Sequence, residues 1–358
     1  MTPECGFIDK VCYLCAKIPS MGKVTLKDLA KELGVSTTLV SRVLNAPRRE
    51  DGTPDCDISK DTAMKVLELA QRLNYKPSRI AAGLRSGKRY LLGVITPDIS
   101  NYAFSEAGRY IEELAHNDGY SVMFGSSAES PKRMEELLDI FAGHEVDGII
   151  VTPCAGSEEI LRKIVRQNIP LVLINRDVPA LDGVGRVFLD NIGSMRQVVE
   201  HLVNGGYRKI EMISENMDVL SLRDRENSYS KTMLSFGLEP HIYMVDSDTQ
   251  ETQTRDAVLE AARKGTEALI TPRIRLSLNS LKAIMDAGLS IPEDMALFCH
   301  DESPAWTTHS PSISYVSQCS DQVGTEAYRM LRRMMGGSPG EQILIAPKLF
   351  FGDSTRRK

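Results

Sequence analysis

From residue 91 onward the chain repeats one pattern, a short apolar run followed by a stretch of helix length. LLGVI, SVMFG, DGIIV and PLVLI are the runs of the first half, separated by the helix-like segments 103–118, 131–143 and 157–167. RKIEMI, HIYMV, EALIT and MALF repeat the scheme after Asp190. Strand, helix, strand at this spacing predicts parallel sheets covered by helices on both faces, because each parallel step needs a crossover long enough to hold a helix. The number of repeats predicts two similar lobes within 91–358. In such folds ligands sit beyond the carboxyl ends of the strands, so the residues following each run are the candidates for binding.

The 358 residues exceed one ordinary domain, so a second core is expected before residue 91. No stretch reaches the roughly 18 uninterrupted apolar residues of a membrane helix, and MTPECGFIDKVCYLCAKIPS lacks the basic start and long apolar centre of a signal peptide. The expectation is a cytoplasmic protein with no membrane partner. Met21 would make a natural start before the first patterned helix, which leaves 1–20 as a dispensable leader. Seven scattered cysteines do not resemble a disulfide framework, and Cys12-x-x-Cys15 has no second pair at zinc spacing. Unpaired thiols are therefore expected, with no metal and no cofactor.

Charge is divided unevenly. Residues 21–90 hold 14 Lys and Arg against 8 Asp and Glu, a net of +6, whereas 91–358 hold 27 against 38, a net of -11. A basic block on an acidic chain points to an anionic partner for that block alone, although a solvated basic face would read the same way.

Within that block, VTLKDLAKELGVSTTLVSRVLN places Leu26, Leu29, Ala30 and Leu33 on one helical stripe. Thr25 caps the helix and Asp28 favours its positive first turn. Gly34 takes the left-handed backbone that ends it. Ser36 then caps a second helix, buried through Val40, Val43 and Leu44, with Thr37, Thr38, Ser41, Arg42 and Asn45 on the other side. Ala63, Val66, Leu67, Ala70 and Leu73 make a third stripe, capped by Ser59. Two short helices joined at a glycine, backed by a third, bury little core but hold the second helix rigidly on the surface, where it can enter a major groove.

The ordered series VTLKDLAKELGVSTTLVSRVLN, LNYKPSRIAAGLRSGK, GVITPDISN, DGIIV, the DN-x-x-G of Asp190 to Gly193, and IPEDMALFCHDE resembles the LacI/GalR (lactose repressor) family of bacterial transcription regulators. The resemblance runs from residue 24 nearly to the C-terminus. It implies an α/β chain with an N-terminal three-helix helix-turn-helix domain over 21–76, a hinge helix and linker over 77–90, and a periplasmic-binding-protein-like domain of two lobes with parallel sheets over 91–358. One departure is NAPRREDGTPDCDIS, about eight residues longer than the usual connection. Its Pro, Gly and acidic residues read as a surface loop, which either adds Arg48 and Arg49 to phosphate contacts or is held away by its acids.

Thr25, Ser36, Thr37, Thr38, Ser41, Arg42 and Asn45 are the candidate DNA contacts of the first unit. The hinge SRIAAGLR is too short to be a stable helix alone, so its folding waits on a partner. The resemblance implies that the partner is double-stranded operator DNA of near-palindromic sequence, contacted in the minor groove through Ser78, Ala81 and Leu84, with Leu84 as the wedge. A plain interdomain linker is the competing reading.

For the larger unit the resemblance implies a small-molecule effector, a sugar or sugar derivative, bound by Asn101, Ala103, Phe104, Asn175, Ser221, Arg225, Asp301 and Gln318. Asn101 as a turn residue and Phe104 as core are the bland alternatives. Arg273 departs from the family, where many relatives carry Asn-Asp. A guanidinium there favours a carboxylate or phosphate, hence an acidic sugar or sugar phosphate. The alternative is that Arg273 pairs with Asp301 or Glu302 and only shapes the pocket.

No Gly-x-Ser-x-Gly, Walker loop or HExxH occurs, so no catalytic residue is assigned and an enzyme is not expected. The expected function is a homodimeric, sequence-specific repressor of carbohydrate-utilisation genes, relieved by effector. A purine-type regulator that needs a co-repressor, or a solute-binding protein that binds no DNA, are the alternatives. LFFGDSTRRK ends the chain without a leucine-heptad tail, which favours a dimer over a tetramer.

Overall fold

A computed structural model describes residues 24–49, 51–75 and 88–357. The suggested leader, Cys12 and Cys15, and the hinge residues Ser78, Ala81 and Leu84 lie outside the described residues. The chain divides after Gly87 into two compact units.

The first unit is built from α1 (Leu26–Leu33), α2 (Thr37–Asn45) and α3 (Lys60–Arg72). Thr25 and Asp28 form a reciprocal capping box, the Thr25 N–H donating to the Asp28 carboxylate at 2.8 Å. Gly34 stands at φ +64°, a conformation a side chain would strain, and lets the chain turn at once into α2. Ser36 and Ser59 cap α2 and α3 by accepting from the Leu39 and Thr62 amides. Leu29, Ala30, Val40, Val43, Ala63, Val66, Leu69 and Ala70 form one small core, with Leu26, Leu33, Leu44, Leu67 and Leu73 packed around it.

The second unit contains two six-stranded sheets. The first comprises β1 (Leu91–Thr96), β2 (Ser121–Ser126), β3 (Gly148–Val151), β4 (Leu171–Ile174), β5 (Gly185–Leu189) and the late strand β11 (Gln342–Ile345), in the order β11-β5-β4-β3-β1-β2, all parallel. The second comprises β6 (Ile210–Glu215), β7 (Ile242–Val245), β8 (Ala268–Thr271), β9 (Ala296–His300), β10 (Ser314–Ser317) and β12 (Lys348–Phe350), in the order β12-β10-β9-β8-β6-β7. Only its edge strand β12 runs antiparallel. The eight apolar runs coincide with β1–β4 and β6–β9. β5, β10, β11 and β12 were not singled out, because GRVFL, SYVS, QILI and KLF are short and mixed with polar residues and leave no apolar run to see.

Chain crossings join the lobes. After β5, α7 (Asn191–Asn204) packs on the second lobe against α8 (Leu220–Ser235). After β10 the chain returns through Gln318 and Cys319, and helix α12 (Ser320–Met335) packs on the first lobe against α4 (Tyr102–Asn117). A Cβ at Gly324 would lie 2.4 Å from the Ala107 carbonyl oxygen, so this close helix approach requires glycine. The third crossing runs from β11 to β12. Among the described residues no helix is long and apolar enough to cross a membrane.

Candidate functional site

In the first unit, Thr25, Ser36, Thr37, Thr38, Arg42 and Asn45 are exposed, and the last four share α2. Ser41 departs from its expected exposure. It is 5% exposed and belongs to the buried side with Val40 and Val43. The physical reason is its place at the margin of the apolar stripe, together with Asn45, whose amide folds back to donate to the Ser41 carbonyl at 2.8 Å and its hydroxyl at 3.2 Å. Asn45 thereby spends its amide on its own helix rather than on an outside partner.

The long connection forms a small hairpin, with a bridge between Arg48 and Pro54 and with Thr53 and Pro54 buried. Its charges are largely spent within the unit. Asp55 accepts from Arg49 at 3.0 Å, and Asp51 lies 3.1 Å from Lys60. Asp57 lies 3.5 Å from Arg42 on the reading helix. Of the two arginines suggested for phosphate contact, Arg49 therefore already has a carboxylate.

In the second unit, the nine residues suggested for effector binding all line one narrow cleft between the lobes. Asn101, Ala103 and Phe104 open α4 beyond β1, and Asn175 follows β4. Ser221 and Arg225 lie on the first turns of α8, Arg273 precedes α10 (Ile274–Asp286), Asp301 follows β9 and Gln318 sits at a crossing. Arg176, Val219 and Leu222 complete the lining. Asn175 and Asp301 hold left-handed backbone at φ +61° and +79°. Such strained positions persist where the surroundings over-determine them, commonly at ligand sites.

A polar chain runs through the cleft. Asn175 Nδ2 donates to Gln318 Oε1 at 3.4 Å, and Gln318 donates in turn to Asp301 Oδ1. Asp301 also accepts the Ile274 amide at 3.2 Å and the His300 Nδ1 at 3.1 Å. Arg225, buried, donates Nε to Asn191 Oδ1 at 2.8 Å and Nη1 to the Pro272 carbonyl, and lies 3.9 Å from Asp301. Asn175 Oδ1 is buried without a hydrogen-bond partner. An unsatisfied buried acceptor costs about 1–3 kcal/mol, a cost that a bound donor removes.

Burial and the neighbouring Arg225 push the His300 imidazole down to about 4, so it is neutral near pH 7 and donates Nδ1–H to Asp301. Burial works against the ionised Asp301, but its bonds from His300 and Gln318 and the charge of Arg225 prevail and hold it well below the ordinary carboxylate range. Burial lowers Arg225 to about 10, which leaves it charged at neutral pH. Cys299 is pushed up to about 12 by burial and Cys154 is raised for the same reason, so both thiols keep their protons.

Arg273 departs from both sequence-based expectations of its partner. It faces neither Asp301 nor Glu302: Nη1 is held by Glu215 and Nη2 lies 3.5 Å from Glu129. Glu129 in turn takes a two-pronged pair of bonds from Arg176, each 2.8 Å. Glu302 instead accepts from Ser317 and Ser320. Glu129, Glu215 and the orienting Asn191 were not singled out from sequence. The rule that found Asn101, looking just beyond strand ends, points to Glu129 after β2 and Glu215 at the end of β6 when applied to those strands.

Residues 25–78 match the model of bacterial regulatory proteins of the lacI family, and residues 199–355 match the periplasmic binding protein-like domain. Over 320 residues the chain is 29% identical to catabolite control protein A of Priestia megaterium, covering 87% of this chain and 92% of the relative. The chain thus carries a helix-turn-helix domain of the lacI family and a periplasmic binding protein-like domain. It is also similar to the transcriptional regulator KdgR of Bacillus subtilis, 27% identical over 92% of this chain and 96% of that regulator. Its fold is that of a Lac repressor dimer bound to operator and the anti-inducer ONPF, with a TM-score of 0.80, 22% identity, and coverage of 94% of this chain and all of that one. These relatives are transcriptional regulators, and this chain has the corresponding parts, a helix-turn-helix head and a two-lobed body. Its relatives are regulators rather than enzymes, and their match across both units disfavours a solute-binding protein.

Proposed function

We propose that this regulator is a homodimeric repressor whose hold on operator DNA is controlled by a carbohydrate bound between the lobes. The observation that carries the proposal is the convergence of nine side chains, drawn from strand ends of both lobes, on one cleft holding a buried unsatisfied acceptor. Asn101, Asn175, Asp301, Gln318 and Arg225 offer closely spaced donors and acceptors suited to neighbouring hydroxyls, and Phe104 offers a flat apolar face for ring carbons.

Thr37, Thr38 and Arg42 are assigned to base edges and phosphate, with Thr25 and Ser36 at capped helix starts beside the backbone. Two copies would place two such helices on the halves of a near-palindromic site. Residues 77–90 are assigned as the hinge, with Ser78, Ala81 and Leu84 in the minor groove. Ligand that touches both lobes biases their relative position, and reciprocity then requires operator DNA to change ligand affinity by the same factor. Relief of repression is the assigned sign.

A thermal-shift screen of sugars, followed by gel shift of an operator fragment at two salt concentrations with and without the sugar that shifts, tests the proposal. The expected result is operator binding that falls steeply with salt and weakens further with that sugar. Operator affinity unchanged by every stabilising sugar would overturn the effector role.

A further inference from the structure

Two guanidinium groups converge on one carboxylate at the wall of the cleft. Arg176, at the end of β4 in the first lobe, is almost wholly buried and grips both oxygens of Glu129. Arg273, from the second lobe, brings Nη2 to 3.5 Å from the same Glu129 Oε1. A parallel pair of N–H bonds from one arginine and a third from another is the arrangement by which proteins hold a ligand carboxylate or phosphate. Here the anion comes from the chain itself. The backbone is bent to deliver it: Ala128 and Glu129 both stand in left-handed conformation, at φ +51° and +58°. The Ala128 amide is tied to the Pro97 carbonyl at 2.8 Å, and Ser130 caps α5 (Pro131–Gly143) immediately after.

We infer that Glu129 is a built-in occupant of an anion seat formed by Arg176 and Arg273, and that by filling it Glu129 makes the cleft take an uncharged polyhydroxy effector in preference to sugar acids and sugar phosphates. The inference rests on the cleft being the effector site and narrows the ligand class. Charge supports it, because Arg176, Arg225 and Arg273 are matched by Glu129, Asp301 and Glu215, so among the described residues no cation lining the cleft lacks a carboxylate nearby. An incoming anion must displace a carboxylate that is tethered beside its guanidinium groups and so is present at high effective concentration. The electrostatic balance holds Glu129 ionised: burial favours its neutral form, but Arg176 and then Arg273 prevail and lower its pKa. The same carboxylate also links the lobes, since Arg176 and Arg273 belong to opposite sides of the cleft.

Inorganic phosphate tests the seat without any knowledge of the effector. In the full-length chain, phosphate titrated against sodium chloride of equal ionic strength should give the native protein no saturable rise in melting temperature. Glu129→Ala and the near-isosteric Glu129→Gln should each gain one, with phosphate affinity at least about tenfold above the native chain. That gain should vanish when Arg176→Gln is added. If Glu129→Ala folds only in phosphate and not in chloride, the seat is equally supported. A native chain that binds phosphate as tightly as both variants, or variants that gain nothing, overturns the inference. Because no sugar enters this titration, its failure leaves the carbohydrate reading standing, whereas failure of every sugar in the earlier screen strikes that reading and the ligand preference drawn from it, but not the anion seat.

Discussion

The reading helix and the effector cleft both present arginines, but they hold them under opposite conditions. Arg42 on α2 is 58% exposed and its partner Asp57 is 96% exposed, at 3.5 Å. Arg176 is 7% exposed and is gripped by Glu129 at 2.8 Å. An exposed pair in water contributes about 0–1 kcal/mol, so Arg42 can pass to a DNA phosphate or base at little cost. A buried cation cannot be left alone, because breaking a buried pair by removing one partner costs about 3–5 kcal/mol. DNA is therefore met by charges only loosely committed within the head, and the effector by charges already neutralised. The difference explains why Arg273 read from the sequence suggested an acidic ligand, whereas its carboxylate neighbours underlie the proposal of an uncharged one.

The largest expected effect comes from breaking the buried side of this comparison. Arg176→Met should lower the unfolding free energy of the larger unit by about 3 kcal/mol, the low end for a buried pair because Glu129 keeps some contact with solvent. Urea denaturation measures it, and a loss below about 1 kcal/mol would place this pair with the exposed ones.

An effect of similar size in the larger unit depends on pH. His300 titrates near 6.5 when unfolded and is pushed down to about 4 when folded, chiefly by burial and then by Arg225. Above pH 6.5 neither state binds the proton. Between 6.5 and about 4 only the unfolded state does, so stability falls as pH falls, by about 3 kcal/mol in total. His201 is lowered by burial too and acts in the same direction, so the diagnostic is the difference between the native chain and His300→Gln. Melting curves of the variant should be flatter across that window; curves that remain parallel would remove His300 as the cause.

The smallest effects belong to the reading head. Arg42→Ala should weaken operator binding by about 1–3 kcal/mol while leaving unfolding free energy within about 0.5 kcal/mol. Asp57→Asn should tighten operator binding by at most about 1 kcal/mol, because it frees Arg42 from an exposed pair. Fluorescence anisotropy with a labelled operator reads both, and tighter binding by Arg42→Ala would reverse the assignment.

The reading head was the more legible region because its information is local. Thr25, Gly34, Ser36 and Ser59 act within four residues of their own helix ends, and the stripe of Leu29, Ala30, Val40 and Val43 is set by helical period alone. Ser41 is the instructive miss. Period places it at the edge of the stripe, and whether an edge residue is covered depends on where Asn45 lays its amide.

In the cleft, the local rule that ligands meet the ends of strands, joined to the family resemblance, selected Asn101, Asn175, Ser221, Arg225, Arg273, Asp301 and Gln318, which the fold gathers along one wall or the other. Local information fails at the partners. Arg273 and Glu215 are 58 positions apart, and Arg273 and Glu129 are 144 apart. Sequence by itself determined the elements, their caps, the parallel sheets and the strand ends from which a site had to be built, because these follow from backbone geometry and side-chain period. Only the tertiary structure decided which carboxylate faces each arginine. Ion pairing depends on distance and on exclusion of water, and neither exists until the two lobes have closed around the cleft.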